Sequence, residues 1–481
     1  MPDRPSDVTA STSRSVGGVS VRADGTIRPT PMLIIGMVSG VFSAAFENIA
    51  VATAMPEAAR DLDGLTYYAW AFTLFVIGQL VGTAVGGRVN DRIGPLRPML
   101  IGFALFAVGL VVAGVAPVWP MLLVGRLTQG LGAGAMFVSL TVVIARLFDD
   151  ADRARVMAWI SAAWVVPAFV GPPIAGWLAE RLSWHWVFFS VLPLLLLAAV
   201  LVIPIVVRVA RAGLLDADAD NATPIPLWAP GLAAAAAASL QAAGQSWAAG
   251  MAPLAGLFAA VGVVLLVIAL PKLMPEGFAR MRRGLASVVW CRMIFPGAFF
   301  GAESFLPLML VETRGLSLTL AGAILTVGSL GWALGAWGQS RPWVRGSRNR
   351  LVVFGVIAVA VGVGVASIAS WLPAAWPGIV ALGWVIAGLG MGLAVASTSL
   401  VVMTLSPTAQ QGRNAASLQI AEGIGVSIFV GLSGTIFAAL HPSGNLPLTF
   451  GTVASAMMVV AVLALPFALR IGRVSETVPL R

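Results

Sequence analysis

The sequence predicts an all-α membrane protein of fourteen spans, built as two six-helix bundles with an extra pair of helices between them. Three observations carry this. The 481 residues are 59% hydrophobic and only 10% charged, with mean hydropathy +0.94, where soluble domains carry roughly 25% charged residues. Apolar runs long enough to cross a hydrocarbon layer of ~30 Å recur along the chain with short polar links between them. The arginines, finally, follow the alternation of those links.

Composition closes the other routes. Glycine (53) and proline (30) are abundant without a three-residue period, which excludes collagen and points to kinked, closely packed helices. The single cysteine, Cys291, allows neither an internal disulfide nor a CxxC site. With His185 and His441 as the only histidines, no metal and no cofactor is expected. A net charge of +9 does not call for a nucleic-acid partner, because basic residues beside spans set topology.

In chain order the spans are predicted at 32–56, 67–87, 99–116, 119–145, 156–179, 186–207 and 228–245, then 253–270, 285–311, 318–339, 351–371, 376–405, 415–440 and 449–469. The links test this assignment. Alternate links, beginning with the N-terminal tail, hold 24 of the 29 basic residues, whereas the opposite set holds only Arg60, Arg181 and Arg314. A helix miscounted by one would reverse this asymmetry downstream, so both termini are expected on the cytoplasmic side. Arg126 and Arg292 fall within spans; Arg292 is close enough to the cytoplasmic end for its head to snorkel.

The tail, residues 1–31, has no apolar core and is not read as a cleaved signal. A bundle over 32–207 follows, then an acidic, Pro-containing linker at 208–226 and an inserted pair at 227–271. A second linker at 272–284, a bundle over 285–470 and a tail at 471–481 complete the chain. The Ala-rich stretch 233–238 is only moderately hydrophobic, so the inserted pair is the one expected to lie shallow or peripheral if any does, and parity requires both members to cross or neither.

The two bundles are related by an internal repeat. Gly125, Gly130, Gly132 and Gly134 return in register as Gly383, Gly388, Gly390 and Gly392. Gly82, Gly86 and Arg92 match Gly331, Gly335 and Arg341, and Arg155 with Gly176 matches Arg413 with Gly434. Parallel six-helix repeats place a cavity at their interface near the midplane, where rocking alternates access.

Three segments carry a family resemblance. The second link reads Gly87-Arg-Val-Asn-Asp91-Arg92-Ile-Gly94-Pro-Leu-Arg97. Span four contains Arg126-Leu-Thr-Gln129-Gly130-Leu-Gly132, and span five contains Gly171-Pro172-Pro173-Ile-Ala-Gly176. Over essentially all residues after 30 the chain resembles the fourteen-span drug:proton antiporter group of the major facilitator superfamily. The resemblance implies that family's fold and proton-coupled export of lipophilic or cationic compounds by alternating access. It identifies Gly87, Asp91, Arg92, Gly94 and Arg97 as a cytoplasmic gating motif in which Asp91 latches the gate. It also identifies Gly171, Pro172 and Gly176 as an antiporter motif, in which Ala175 departs from the family's glycine pair. Ser340 stands where Asp91 would repeat, so that carboxylate acts on one side of the pseudo-symmetry only.

Glu47, Glu303 and Glu422 lie inside spans one, nine and thirteen. An ionisable side chain there costs at least ~2.5 kcal/mol and marks function by default. Glu47 is the expected principal proton site, with Arg126 as its counter-charge, Glu303 as a second titrating or substrate-binding group, and Glu422 as a further candidate. Phe46, Asn48, Gln79, Gln129, Trp164, Phe299, Phe300 and Trp332 are expected to line a cavity for a large apolar ligand with one polar handle. Most other tryptophans, including Trp119, Trp184, Trp186, Trp371 and Trp376, read as interface anchors.

Export of an endogenous lipid or metabolite is the alternative, and nutrient symport a weaker one. No nucleophile motif or His/Asp cluster supports an enzyme. The expected partners are the bilayer, a small lipophilic or cationic substrate and protons, with the chain a monomer. The bias to Arg over Lys and the abundant Ala suggest a GC-rich genome and hence a bacterial cytoplasmic membrane.

Overall fold

A computed structural model describes residues 14–16, 19–21, 26–27, 30–215, 226, 228–339, 341, 348–372, 374–407 and 410–472. Most of the N-terminal tail, the acidic linker, Ser340 and the C-terminal tail lie outside the described residues. A short antiparallel hairpin, β1 (Arg14–Val16) and β2 (Val19–Val21), precedes the helices.

The first bundle comprises α1 (Pro31–Asp61), α2 (Trp70–Ile93), α3 (Leu96–Gly114), α4 (Trp119–Leu147), α5 (Asp150–Arg181) and α6 (His185–Arg211). The inserted pair is α7 (Trp228–Ala248) and α8 (Ala252–Leu273). The second bundle comprises α9 (Leu285–Glu303), α10 (Leu306–Arg314), α11 (Leu318–Gly338), α12 (Arg348–Trp371), α13 (Gly378–Leu405), α14 (Gln411–Leu440), α15 (Leu446–Leu463) and α16 (Leu465–Leu469). Their starts are written locally. Thr30 accepts from the Leu33 N–H before Pro31, and Asp149, Ser317 and Asn445 cap α5, α11 and α15 in the same way.

Two predicted spans are each broken in two. Pro307 has no N–H to give the Glu303 carbonyl, and Pro466 none for Val462, so α9 stops at Glu303 and α15 at Leu463. Thirteen helical stretches among the described residues are long and apolar enough to cross a membrane, and α7 is not one of them. By that measure the expectation of fourteen is not confirmed, because Pro230, Gln241 and Gln245, with the serines and glycines of α7, dilute its apolar residues. Geometrically α7 still runs its 21 residues, about 30 Å, to the far side, where the Gln245 side-chain amide donates to the Thr66 carbonyl at 3.0 Å.

The links fall on two faces. On the terminal face, which carries both described chain ends, Ile27 N–H bonds Leu147 O at 2.7 Å, Arg146 bonds Leu215 O, and Arg470 bonds Met281 O. The far face is a single network: Gly64 packs on Trp119, Trp184 bonds Asp61, Arg60 pairs with Glu312, Glu312 with His441, and Arg314 reaches the Ala375 carbonyl. Trp119 and Trp184 are buried in this network. They are not lipid-facing anchors, because a helix end that meets other links offers a tryptophan a dry partner. Trp186, Trp371 and Trp376 are exposed.

The repeat has a packing meaning. Gly125 and Gly132 of α4 touch the backbone of α3, at Ala113 and Phe106, while Gly130 and Gly134 touch α2 at Phe75 and Gln79. In the second bundle Gly383 and Gly390 meet α12 at Gly362 and Gly355, and Gly388 and Gly392 meet α11 at Gly328 and Trp332. A methyl group at any of these positions would collide with main chain, so helices approach to backbone contact on two sides of α4 and of α13.

The bundles meet along two pseudo-equivalent seams, α5 on α11 and α14 on α2. Gly176 lies against Leu318 in one, and its repeat partner Gly434 against Ala69 in the other. α7 wedges against α14 and α2, whereas α8 packs chiefly on α7; only the second helix of the pair is peripheral. The described seam contacts run from the far face to about mid-depth. Towards the terminal face the exposed positions of α5 between Arg155 and Val166 sweep more than half of its circumference, and the bundles diverge.

Candidate transport pathway and its buried ion pairs

Glu47 is about midway along α1, and Arg126 is seven residues, about 10 Å, below the far end of α4. The Arg126 guanidinium donates from Nη1 to Glu47 Oε1 and to Gln129 Oε1 at 2.6 Å, and from Nε to the Ala71 carbonyl at 2.9 Å. Its face lies 4.5 Å from the centroid of the Phe75 ring. The side chains are 0% and 2% exposed. Glu47 Oε2 is buried without a hydrogen-bond partner among the described residues. A buried charge of this kind persists only when paired.

Gln129, a cavity residue by the sequence, is instead fully buried between α4 and α3, donating to Gly109 O at 3.3 Å while it accepts from Arg126. The adjacent Gly125, Gly130 and Gly132 draw both neighbouring helices so close that this face of α4 has no room for water.

A second pair was not foreseen as a pair. Arg292, seven residues inside α9, does not snorkel. It is buried, donating from Nε and Nη2 to Glu422 Oε2 of α14 at 3.1 and 2.9 Å, and from Nη1 to Val395 O and Thr398 Oγ1 of α13 at 2.6 and 2.8 Å. Gly297 and Gly425, packed against each other's helices, bring α9 and α14 near enough for this. Glu422 is 21% exposed, just on the terminal side of Gly423, which faces Val76 across the α14–α2 seam. The sequence signal was available: an arginine and a glutamate, both within spans.

Glu303 ends α9 at the break in span nine, beside the Trp384 indole. Around it Phe299 stacks on Trp384 at 4.9 Å, and Phe300 and Trp332 meet Phe299 edge-on at 5.4 and 6.0 Å. Three of the expected cavity aromatics thus form one cluster, joined by Trp384, which the sequence reading missed. A small cavity between α9, α10, α12, α13 and α15 opens behind it, lined by Ala302, Phe305, Trp384 and Phe450. Phe46 packs against Gly171, so it touches α5 more than open space; Asn48 and Gln79 are half-buried and Trp164 is exposed.

In the motif over Gly87–Arg97, Gly94 takes φ +79° with its N–H on Asn90 O, ending α2 where a side chain would strike Leu215 O. Asp91, Arg92 and Arg97 are exposed, and no ion pair of Asp91 is found among the described residues. The motif over Gly171–Gly176 forms the α5–α11 seam. Pro173 cannot donate to the Phe169 carbonyl, and Thr326 Oγ1 of α11 supplies that bond across the seam at 3.3 Å. Pro172 lies against Gly322 and Gly176 against Leu318, backbone to backbone.

Comparison with known proteins agrees with this geometry. Residues 37–430 match the Major Facilitator Superfamily model. Multidrug resistance protein 3 of Bacillus subtilis is 24% identical over 338 residues, 69% of this chain and 65% of that protein. Multidrug transporter protein MdtP of the same organism is 26% identical over 301 residues, 61% and 55% of the two chains. The matched stretch is thus less than two thirds of either relative's length. Among solved structures, a peptide transporter crystallised with alafosfalin superposes with a TM-score of 0.65 at 16% identity, covering 92% of this chain and 94% of that one; this is a likeness of fold. On these grounds the chain belongs to the Major Facilitator Superfamily, as a multi-pass membrane protein whose relatives include proteins named for multidrug resistance and multidrug transport.

Proposed function

We propose that this transporter is a proton-coupled antiporter that exports lipophilic or cationic compounds by alternating access, as a monomer in a bacterial cytoplasmic membrane with the terminal face inside. The observation that carries the reading is the sealed Glu47–Arg126 pair. Neutralising Glu47 at its unpartnered Oε2 strips Arg126 of its counter-ion inside a dry bundle, so proton binding and helix arrangement cannot be independent. Glu422, paired with Arg292 but open to the terminal side, is a further candidate for proton coupling. Glu303 and the cluster of Phe299, Phe300, Trp332 and Trp384 supply a carboxylate and aromatic faces, the chemistry that holds an amphipathic cation. Asn48, Gln79 and Trp164 extend that path. Asp91 engages as a latch only when the terminal side closes, which accords with its exposure here.

Each proton moving inward through 100 mV supplies ~2.3 kcal/mol for export. In proteoliposomes an imposed proton gradient should drive uphill movement of a lipophilic cation such as ethidium, and Glu47→Gln, compared at equal amounts of folded protein because it strands the Arg126 charge, should abolish the uphill component. Uphill transport persisting in that variant overturns the assignment of the proton carrier.

A further inference from the structure

The far-face ends of the two seams differ in what closes them. Glu180, next to last in α5, accepts at Oε1 from the Thr319 N–H at 3.1 Å and at Oε2 from the Thr319 hydroxyl at 2.6 Å. Thr319 is the second residue of α11, so the carboxylate of one bundle sits on the open N–H end of a helix in the other, where the helix dipole favours negative charge. Ser317 satisfies the neighbouring donor, Leu320 N–H, from within the second bundle. The repeat that aligns Gly176 with Gly434 puts Ala438 in the place of Glu180. There α2 begins at Ala69 with no side-chain cap, and apolar contact of Tyr68 with Phe305 and Phe437 takes over.

We propose that Glu180 is the positioning residue that latches the far face shut, and that its carboxylate sets how often the transporter opens on that side. The proposal rests on the alternating-access reading above. Opening must part Gly176 from Leu318, at the same level of the seam. Both bonds of Glu180 then break together, because one side chain makes them. An interaction present in only one of two states shifts their ratio by its full strength. Arg60 with Glu312, at 3.5 Å, is the other described polar tie between the bundles on this face. It is longer and joined at a single oxygen.

The test uses Cys291→Ser carrying spin labels at Val118→Cys and Leu372→Cys, two exposed far-face positions in opposite bundles, reconstituted in nanodiscs. Glu180→Ala should raise the ratio of long to short inter-label distances about fivefold, a charge-assisted bond at an exposed site being of that order. Glu180→Gln, which keeps one acceptor, should give a smaller rise. An unchanged distance distribution in a folded Glu180→Ala variant overturns the latch, as does a lowered melting temperature without redistribution. If the parent protein shows one distance at every pH and with every ligand tried, alternating access itself fails. If the parent switches and Glu180→Ala switches identically, only the latch fails.

Discussion

The two buried ion pairs occupy opposite sides of the midplane and are built from different helices of the repeat. In the first bundle span one gives the carboxylate and span four the arginine. In the second, α9, the repeat of span one, gives the arginine, and its remaining bonds go to α13, the repeat of span four. Arg126 is about 10 Å from the far end of its helix and Arg292 about 10 Å from the terminal end of its own. One pair is sealed, the other has a carboxylate 21% exposed. The glycines that set helix spacing are held in register while the charges are not. Duplication supplied the frame, and the chemistry diverged within it.

The sharpest way to break this contrast is Arg126→Leu, which leaves the Glu47 carboxylate buried and alone. It should cost about 3–5 kcal/mol, read as thermal unfolding by tryptophan fluorescence in detergent, with much of the loss recovered in the double variant with Glu47→Gln. Arg292→Leu should cost less, about 2–3 kcal/mol, since Glu422 can turn to water. Equal costs would mean that the difference in burial has no energetic content. Gly130→Ala and Gly388→Ala should each cost about 1–3 kcal/mol and match one another; tolerance of only one would show that the frames are not equivalent. Thr326→Val, which leaves the Phe169 carbonyl without its partner across the seam, should cost about 0.5–1.5 kcal/mol, the smallest change in the set.

Helix positions were legible because crossing a bilayer needs apolar length and the arginines mark alternate links. The repeat was legible because backbone contact tolerates only glycine at Gly125, Gly130, Gly132 and Gly134. The pairing of Arg126 with Glu47 followed from depth. Which way a side chain points was much less legible. Lipid and protein interior are both apolar, so helical periodicity is weak, and nothing in the sequence says whether Gln129 turns to α3 or to open space. The burial of Trp119 and Trp184 and the capture of Arg292 by Glu422 depend likewise on which helices become neighbours. The weakness of α7 could be seen in Pro230, Gln241 and Gln245 among its alanines; its wedge between α14 and α2 could not.

Backbone-to-backbone seating of α4 on both α2 and α3, and of α13 on both α11 and α12, leaves each bundle almost no slack. A bulky guest cannot make room for itself by spreading those helices. Space has to come from between the bundles and from the jointed stretch at Glu303, so selectivity is written in the residues along that cleft, and substitutions deep within either bundle should alter how much protein survives rather than what it carries.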